Sequence, residues 1–361
     1  MLEHPLYSCD DHLDLPAVPR DAWTSRVASK LQEVVPHVIE REGQHYWMAA
    51  GEVIGISGAL DGRLTALSRA PEVADPDGLR PSNPVLRLQD MERDGVHASI
   101  VYGAGSLTGF PIEDPEGRRE VFRAWNDWAA EAFNAHAPDR LSALPFLPTT
   151  SPEDAVREFQ RCMGLGHKGA IINPFDLELR DTSWDPLWAA VVEAGVPISF
   201  HIGKGTKLSP NDVRERAPYS SIVPLQMDEP LAMMIFMGAL ERHPTLTLVL
   251  AESGIGWLPY FVGRMDDQFE KHCVPYDECI TTRPSEIFAR QIYATFEEEP
   301  LGPSLIPVLG ADNFMWACDY PHPDSTWPHS HRAIDEALGT LGEEAIRKVT
   351  ADTCKRLYKL P

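Results

Sequence analysis

The stretch "YSCDDHLDL", residues 7–15, places acidic residues and a histidine directly behind a short apolar run. Side chains alternate along a strand, so residues two positions apart lie on the same face. If this run is a strand, Asp10 and His12 share one face, and Cys9 and Asp11 share the other. We expect Asp10 and His12 to be metal ligands at the end of the first strand. The alternative is a solvated turn that caps the following segment.

Short β-branched runs that end in polar residues recur along the whole chain. They cover residues 6–12, 97–103, 141–148, 169–174, 196–203, 246–253, 291–296 and 314–322. Segments with helical periodicity separate them, most clearly residues 118–135, and Ser151 and Gly195 are suitable caps for two such helices. Strands that alternate with helices predict a parallel (β/α)8 TIM barrel of the α/β class. An open doubly wound sheet is the alternative, although no G-x-G-x-x-G motif follows the first strand.

Residues 15–90 are too long for an ordinary connection between a strand and a helix. They include "HYWMAAGEVIGISG", residues 45–58, which can form a small hairpin. We interpret residues 1–361 as a single metal-dependent barrel domain. Within it, residues 15–90 are an insertion after strand one that covers the barrel mouth.

The composition excludes several classes of partner. A formal net charge of -22 and a pI near 4.9 argue against a nucleic-acid surface and against an anionic membrane. The N-terminus has no basic region followed by an apolar run, so we predict a cytoplasmic enzyme with a small-molecule substrate. A homo-oligomer is compatible with this interpretation. The six cysteines form no C-x-x-C pair, which predicts reduced and mostly buried thiols.

In a TIM barrel the active site lies at the carboxyl ends of the strands. The polar residues at these ends are typical metal-ligand types: Asp10, His12, Asn173, His201, Glu252 and Asp319. Histidines combined with carboxylates favour Zn²⁺ or Mn²⁺ over Ca²⁺, which prefers oxygen ligands alone. We therefore expect one divalent metal ion, zinc or manganese.

Several motifs resemble the amidohydrolase-related family. They are "CDDHLDLPA", "MERDGVHASIVY", "KGAIINP", "VPISFHIG", "LVLAESGIGWLPYFVGRMD" and "ACDYPHPDSTWP". The family consists of metal-dependent barrel enzymes, and the branch in question includes the aminocarboxymuconate-semialdehyde and γ-resorcylate decarboxylases. The resemblance implies a metal held by Asp10, His12, His201 and Asp319. Many members carry His-x-His in the first motif, and the Asp-x-His pair of this chain is closer to the Glu-x-His of the decarboxylase branch.

One position departs from the decarboxylase pattern. Those enzymes place a catalytic histidine at the end of strand six, where this chain has Glu252. Our first hypothesis is therefore hydrolysis, in which a divalent ion lowers the pKa of a bound water and Glu252 or Asp319 accepts its proton during attack on a small carbonyl substrate.

Two other functions stay open. The same metal site can serve the non-oxidative decarboxylation of an aromatic or unsaturated acid. The barrel can also have lost catalysis and serve in binding. His322, in a histidine-rich stretch after the last strand, is a further candidate catalytic residue that can bind substrate or gate the pocket.

Overall fold

The computed structural model describes residues 4–58, 79–103, 107–208, 212–322 and 324–361. Its strands are β1 (Leu6–Leu13), β2 (His37–Arg41), β3 (Gln44–Ala49), β4 (Glu52–Ile56), β5 (Val96–Gly103), β6 (Leu141–Ala143), β7 (Ala170–Ile171), β8 (Ile198–His201), β9 (Leu248–Ala251), β10 (Ile292–Phe296) and β11 (Phe314–Trp316).

The helices between and after these strands lie mostly in the connections between parallel strands. They are α1 (Pro84–Asp94), α2 (Pro115–Trp128), α3 (Pro152–Gly164), α4 (Asp185–Ala194), α5 (Arg216–Ile222), α6 (Asp228–Phe236), α7 (Ala239–Arg242), α8 (Leu258–His272), α9 (Pro284–Gln291), α10 (Gly302–Leu309), α11 (Ser330–Leu338), α12 (Glu343–Arg347) and α13 (Thr353–Tyr358). Among the described residues, no helix is both long enough and apolar enough to cross a membrane.

The parallel strands form two sheets, in the orders β1-β5-β6 and β11-β10-β9-β8-β7. Hydrogen bonds join the sheets at both seams. At one seam Ile171 N donates to Pro145 O at 2.9 Å, and at the other Asp319 N donates to Asp10 O at 2.9 Å. These bonds give the ring order of a (β/α)8 barrel, so the predicted fold class is confirmed. The second seam also brings the first and last strands together, although they are about 300 residues apart in the chain.

The helix caps follow the sequence signals. The Ser151 hydroxyl accepts a hydrogen bond from Asp154 N at 3.1 Å, which caps α3. Gly195 ends α4 in the left-handed conformation, at φ 60°, where glycine has no steric penalty. The cysteines are free thiols, and all except the half-buried Cys279 are buried.

The segment after β1 forms its own antiparallel sheet, in the order β2-β3-β4. The predicted hairpin is β3 and β4, and β2 extends it by a strand that the sequence analysis did not predict. Residues 59–78 of this segment lie outside the described residues, and α1 occupies its last part. That residues 1–361 form a single domain, with residues 15–90 as a cover over the barrel mouth, stays a prediction.

Candidate metal centre and active site

The four residues predicted as metal ligands meet at the carboxyl ends of their strands. His12 Nε2 lies 3.5 Å from Asp10 Oδ1 and 3.1 Å from Asp319 Oδ1. His201 Nε2 lies 3.6 Å from Asp10 Oδ1. Ligand atoms that share one ion at about 2.1 Å are roughly 3–3.5 Å apart from each other. These three distances suit ligand atoms of one divalent cation. The possible ligand side chains fall into two groups that share His12: Asp10, His12 and His201, and His12, Glu252, Asp319 and His322.

Hydrogen bonding supports the same conclusion. Several buried side-chain atoms of the described residues have no hydrogen-bond partner, and four of them belong to the predicted ligands: Asp10 Oδ1, His12 Nε2, His201 Nε2 and Asp319 Oδ1. Other atoms of these side chains are paired: Asp10 Oδ2 accepts from Thr295 Oγ1 at 2.9 Å, and His201 Nδ1 lies 2.8 Å from Ile202 O. With Nδ1 donating, His201 presents the lone pair of Nε2 to the centre. Unpaired buried polar atoms are unfavourable, and a cation bound between them would satisfy all four.

Glu252 lies at the same point. Its Oε2 is 3.3 Å from His12 Nε2 and 3.2 Å from His201 Nε2. Its backbone has φ 53°, a left-handed conformation that is uncommon for a residue with a side chain and is found at functional sites. Asp319 has the same feature, at φ 61°. The Glu252 carboxylate therefore lies within 3.3 Å of both predicted ligand histidines.

Glu299 fixes the loop that follows Glu252. Its carboxylate accepts hydrogen bonds from Ile255 N at 2.7 Å and from Gly256 N at 3.0 Å. Gly254, between these positions and Glu252, has φ 61°, and a Cβ there would collide with Glu299 Oε1. Gly254 is thus required by its left-handed backbone and by the close approach of the Glu299 carboxylate, whereas a Cβ at Gly256 would make only ordinary contacts.

Replacing Gly254 by Ala should lower the free energy of unfolding by about 1–3 kcal/mol, because it adds backbone strain and displaces Glu299. Thermal or urea unfolding measures this change. Gly263→Ala is the matched control: Gly263 is exposed on α8, a Cβ there meets nothing within 4 Å, and alanine favours the helix. Equal stability of the Gly254 and Gly263 variants would contradict the role given to this loop.

His322 connects Asp319 to a carboxylate that the sequence analysis did not identify. Its Nδ1 lies 2.9 Å from Asp319 Oδ1, and its Nε2 lies 3.0 Å from Asp14 Oδ2. Its ring stacks on that of His12, with centroids 3.9 Å apart. Burial alone would lower the pKa of His322, but Asp319 and Asp14 raise it well above its usual range. His322 thus lies between two carboxylates that favour its protonated form, with Nε2 hydrogen-bonded to Asp14.

The two histidines predicted as ligands share this electrostatic environment. Burial alone would lower the pKa of His12, yet Asp319 and Glu252 raise it well above its usual range. Burial likewise opposes protonation of His201, and Asp10 and Glu252 raise its pKa. The carboxylates therefore favour positive charge at this point, whether protons or a divalent cation supply it.

The raised histidine pKa values predict a pH-dependent metal affinity. Protons on His12 and His201 must leave before a metal binds, so acidification should weaken Mn²⁺ binding by about tenfold per pH unit for each displaced proton. The effect should extend above the ordinary histidine pKa, because both values are raised. Calorimetric titration of metal-free protein from about pH 6 to about pH 8.5 measures it. A Mn²⁺ affinity that does not change over this range would contradict it.

A buried ion pair lies on the face of β1 opposite the predicted metal ligands. Asp11 faces away from Asp10 and His12, as strand alternation predicts, and its Oδ2 accepts from Arg87 Nη2 at 3.0 Å. Arg87, which is fully buried, also donates from Nη1 to His12 O at 2.9 Å. Tyr320 N donates to Asp11 Oδ1 at 3.3 Å. The pair thus holds β1 against α1 and against the segment that carries Asp319.

A cavity of about 930 Å³ opens in front of the ligands. Asn173 lines it but is not part of the ligand group, because its side chain bonds Phe175 N and Asp176 Oδ2 and so holds a turn. Glu297 also lines the cavity, and its Oε1 is buried without a partner. Burial and the charges of Asp319 and Glu252 raise the pKa of Glu297 well above its usual range. It follows β10 directly, so the strand-end rule could have identified it.

Comparisons with known proteins agree with the fold. The sequence profile of a family described as amidohydrolase matches residues 22–360. A γ-resorcylate decarboxylase of Rhizobium radiobacter is 26% identical over 293 residues, which cover 76% of this chain and 86% of the relative.

Solved structures extend the likeness to the whole chain. An amidohydrolase from Mycobacterium avium subsp. paratuberculosis K-10 has a TM-score of 0.77 at 21% identity, with 99% of this chain and 98% of the other covered. A dihydroxybenzoic acid decarboxylase from Polaromonas sp. JS666, solved with bound manganese and an inhibitor, has a TM-score of 0.66 at 18% identity, with 99% and 97% covered.

Proposed function

The chain belongs to the amidohydrolase family, and we propose that it is a metal-dependent enzyme that removes CO₂ from an aromatic acid without oxidation. The observation that carries this proposal is the clustering of four unpaired buried atoms, from Asp10, His12, His201 and Asp319, in two groups of possible metal ligands that share His12. The 26% identical γ-resorcylate decarboxylase favours decarboxylation, the second hypothesis of the sequence analysis, over hydrolysis, the first.

The case for hydrolysis rested on Glu252 as a general base. The structure places Glu252 Oε2 within 3.3 Å of both ligand histidines, where its carboxylate suits a role in metal binding. The departure from the decarboxylase pattern at strand six is then a change in the ligand set. It does not by itself require a water nucleophile.

In this proposal, Asp10, His12, His201 and Asp319 hold the ion, and Glu252 contacts it as well. Manganese bound to related decarboxylases supports Mn²⁺, and the ligand types also suit Zn²⁺. When bound, the ion supplies Lewis-acid polarisation of substrate oxygen atoms.

We assign His322 as the source of the proton that replaces the carboxyl group. The ring carbon that bears the carboxylate accepts a proton, and the bond to the carboxyl carbon then breaks. Its electron pair returns to the ring, and CO₂ leaves. His322 lines the cavity itself, and the carboxylates of Asp319 and Asp14 stabilise its protonated form from two sides.

Replacing His322 by Gln should lower kcat by about 10²–10⁴-fold, the usual contribution of a positioned proton donor, while the metal content stays that of the unaltered protein. The variant keeps a polar side chain of similar length but cannot carry the proton. CO₂ release measures kcat, and elemental analysis measures the metal. A variant with unchanged kcat would remove His322 from the mechanism.

The proposed reaction is tested by incubating Mn²⁺-loaded protein with a panel of hydroxybenzoates, and with amides and lactones, in H₂¹⁸O. We expect CO₂ and the corresponding arene in equal amounts, with no ¹⁸O in the arene. Metal-free protein should be inactive. Turnover of an amide or lactone with ¹⁸O in the product would favour hydrolysis. No turnover of any compound would favour the hypothesis that the barrel binds a ligand without catalysing a reaction.

A further inference from the structure

The cavity in front of the metal centre is large for the small acids that the proposed reaction would otherwise suggest. Its volume of about 930 Å³ lies near the upper end of the roughly 300–1,000 Å³ that sites for drug-sized ligands span. That volume corresponds to roughly thirty waters, whereas a single-ring hydroxybenzoate occupies the space of roughly five. A single-ring acid bound at the metal would leave most of the cavity to water.

The wall of this cavity is largely apolar, and much of it comes from segments that carry no ligand. Ile54 lies on β4 of the insertion sheet, and Val223 follows α5. Phe110 and Phe146 follow β5 and β6, and Phe110 packs against the buried Trp23 with ring centroids 6.2 Å apart. Such a wall favours an apolar substrate body that extends beyond the ring at the metal.

The charges around the cavity limit the substrate to one carboxylate. Arg216 is the one arginine or lysine among the described residues that line the cavity. Five carboxyl side chains line the same cavity: Asp14, Glu252, Glu297, Asp319 and Asp324. One substrate carboxylate can face a bound cation, whereas a second would lie among these acidic side chains with one arginine to offset them.

From this volume, wall and charge we propose that the substrate is a monocarboxylic hydroxyaromatic acid whose apolar body is larger than one ring. The inference rests on the proposed function and names the substrate class of the same site. A fused bicyclic acid such as a hydroxynaphthoate has the required chemistry.

The test compares three acids on the Mn²⁺-loaded protein: 1-hydroxy-2-naphthoate, 2-hydroxybenzoate, and 4-hydroxyisophthalate, which carries a second carboxylate. CO₂ release gives kcat/KM, and calorimetry gives the dissociation constant of each acid. We expect kcat/KM for the naphthoate to exceed that for 2-hydroxybenzoate by roughly tenfold or more, because the added ring is removed from water. The isophthalate should be the poorest of the three. Equal kcat/KM values for the one-ring and two-ring acids, or a higher value for the dicarboxylate, would overturn the inference.

A matched pair of variants on β4 tests whether the cavity wall at Ile54 determines the preference for the two-ring acid. Ile54→Trp fills the cavity and should reduce the ratio of naphthoate to 2-hydroxybenzoate kcat/KM by about tenfold. Val53→Trp adds the same side chain to the neighbouring position of β4, where Val53 is 51% exposed, and should leave the ratio unchanged. A ratio that neither variant changes, or that both change equally, would contradict the assignment of this wall.

Failure of the inference and failure of the proposed function give different results. If only single-ring acids release CO₂, the proposed function stands and the substrate class is wrong. If no acid releases CO₂, the decarboxylase proposal fails. The size inference then survives only if the naphthoate binds more tightly than 2-hydroxybenzoate and Ile54→Trp, but not Val53→Trp, removes that difference.

Discussion

Replacing Asp319 by Asn should abolish tight metal binding and lower kcat/KM by about a thousandfold, while the barrel stays folded. Asp319 Oδ1 lies 3.1 Å from His12 Nε2 and 2.9 Å from His322 Nδ1, so its charge serves both the metal centre and the proton source. Loss of Lewis-acid stabilisation worth several kcal/mol corresponds to about three powers of ten in rate. Asparagine tolerates the left-handed backbone at φ 61°, so the substitution should add little strain.

Calorimetric titration with Mn²⁺ and CO₂ release measure the two effects. Asp312→Asn is a matched control, because this exposed carboxylate pairs only at the surface with Lys348, at 2.7 Å. It should change neither metal affinity nor rate. An Asp319→Asn protein that binds Mn²⁺ as tightly as the unaltered protein would show that the centre is held by other residues.

Replacing Arg87 by Met should lower the free energy of unfolding by about 3–5 kcal/mol, the usual effect of leaving one charge of a buried ion pair uncompensated. Met preserves much of the side-chain volume but leaves Asp11 without its cation. The change also removes the bond from Arg87 Nη1 to His12 O, which holds a predicted ligand in place. We therefore expect weaker Mn²⁺ binding in the folded protein as well.

Urea unfolding and Mn²⁺ titration measure these effects. Arg93→Met on the same helix is the control: Arg93 is exposed and lies over the Trp327 ring at 4.9 Å, a contact worth about 0.5–1 kcal/mol. Adding Asp11→Asn to Arg87→Met should recover part of the lost stability, because the buried charge is then gone. Equal effects of the Arg87 and Arg93 substitutions would argue against a supporting role for the buried pair.

The convergence of the predicted ligands was predictable because two simple rules combine in a barrel. The strand period of two placed Asp10 and His12 on one face, and parallel strands in a ring place their carboxyl ends at one mouth. His201, Glu252 and Asp319 follow from the same rule. No knowledge of helix packing or loop shape was needed.

The side chains that support the centre could not be predicted in the same way. Arg87 reaches His12 from α1, in the last part of the long segment after β1, and its sequence surroundings are those of an ordinary amphipathic helix. Three consecutive glutamates follow β10: Glu297 faces the cavity, whereas Glu299 turns away to bind Ile255 N and Gly256 N. Strand alternation no longer applies once the chain leaves the strand, so the sequence does not separate their roles.

The chemical role of Glu252 could not be predicted from its residue type either. Its residue type at the end of strand six suggested a general base, and hence hydrolysis. Its role depends on backbone conformation, because φ 53° directs the carboxylate to the point shared by His12 and His201. Residue type identified the position, and geometry changed the interpretation.

The central claim is that Asp10, His12, His201 and Asp319 hold one divalent ion, and anomalous diffraction from crystals grown with Mn²⁺ tests it most directly. We predict a single strong anomalous peak per chain at about 2.0–2.3 Å from Asp10 Oδ1, His12 Nε2, His201 Nε2 and Asp319 Oδ1. A peak elsewhere in the chain, or these four side chains turned apart around a water-filled mouth, would contradict the account.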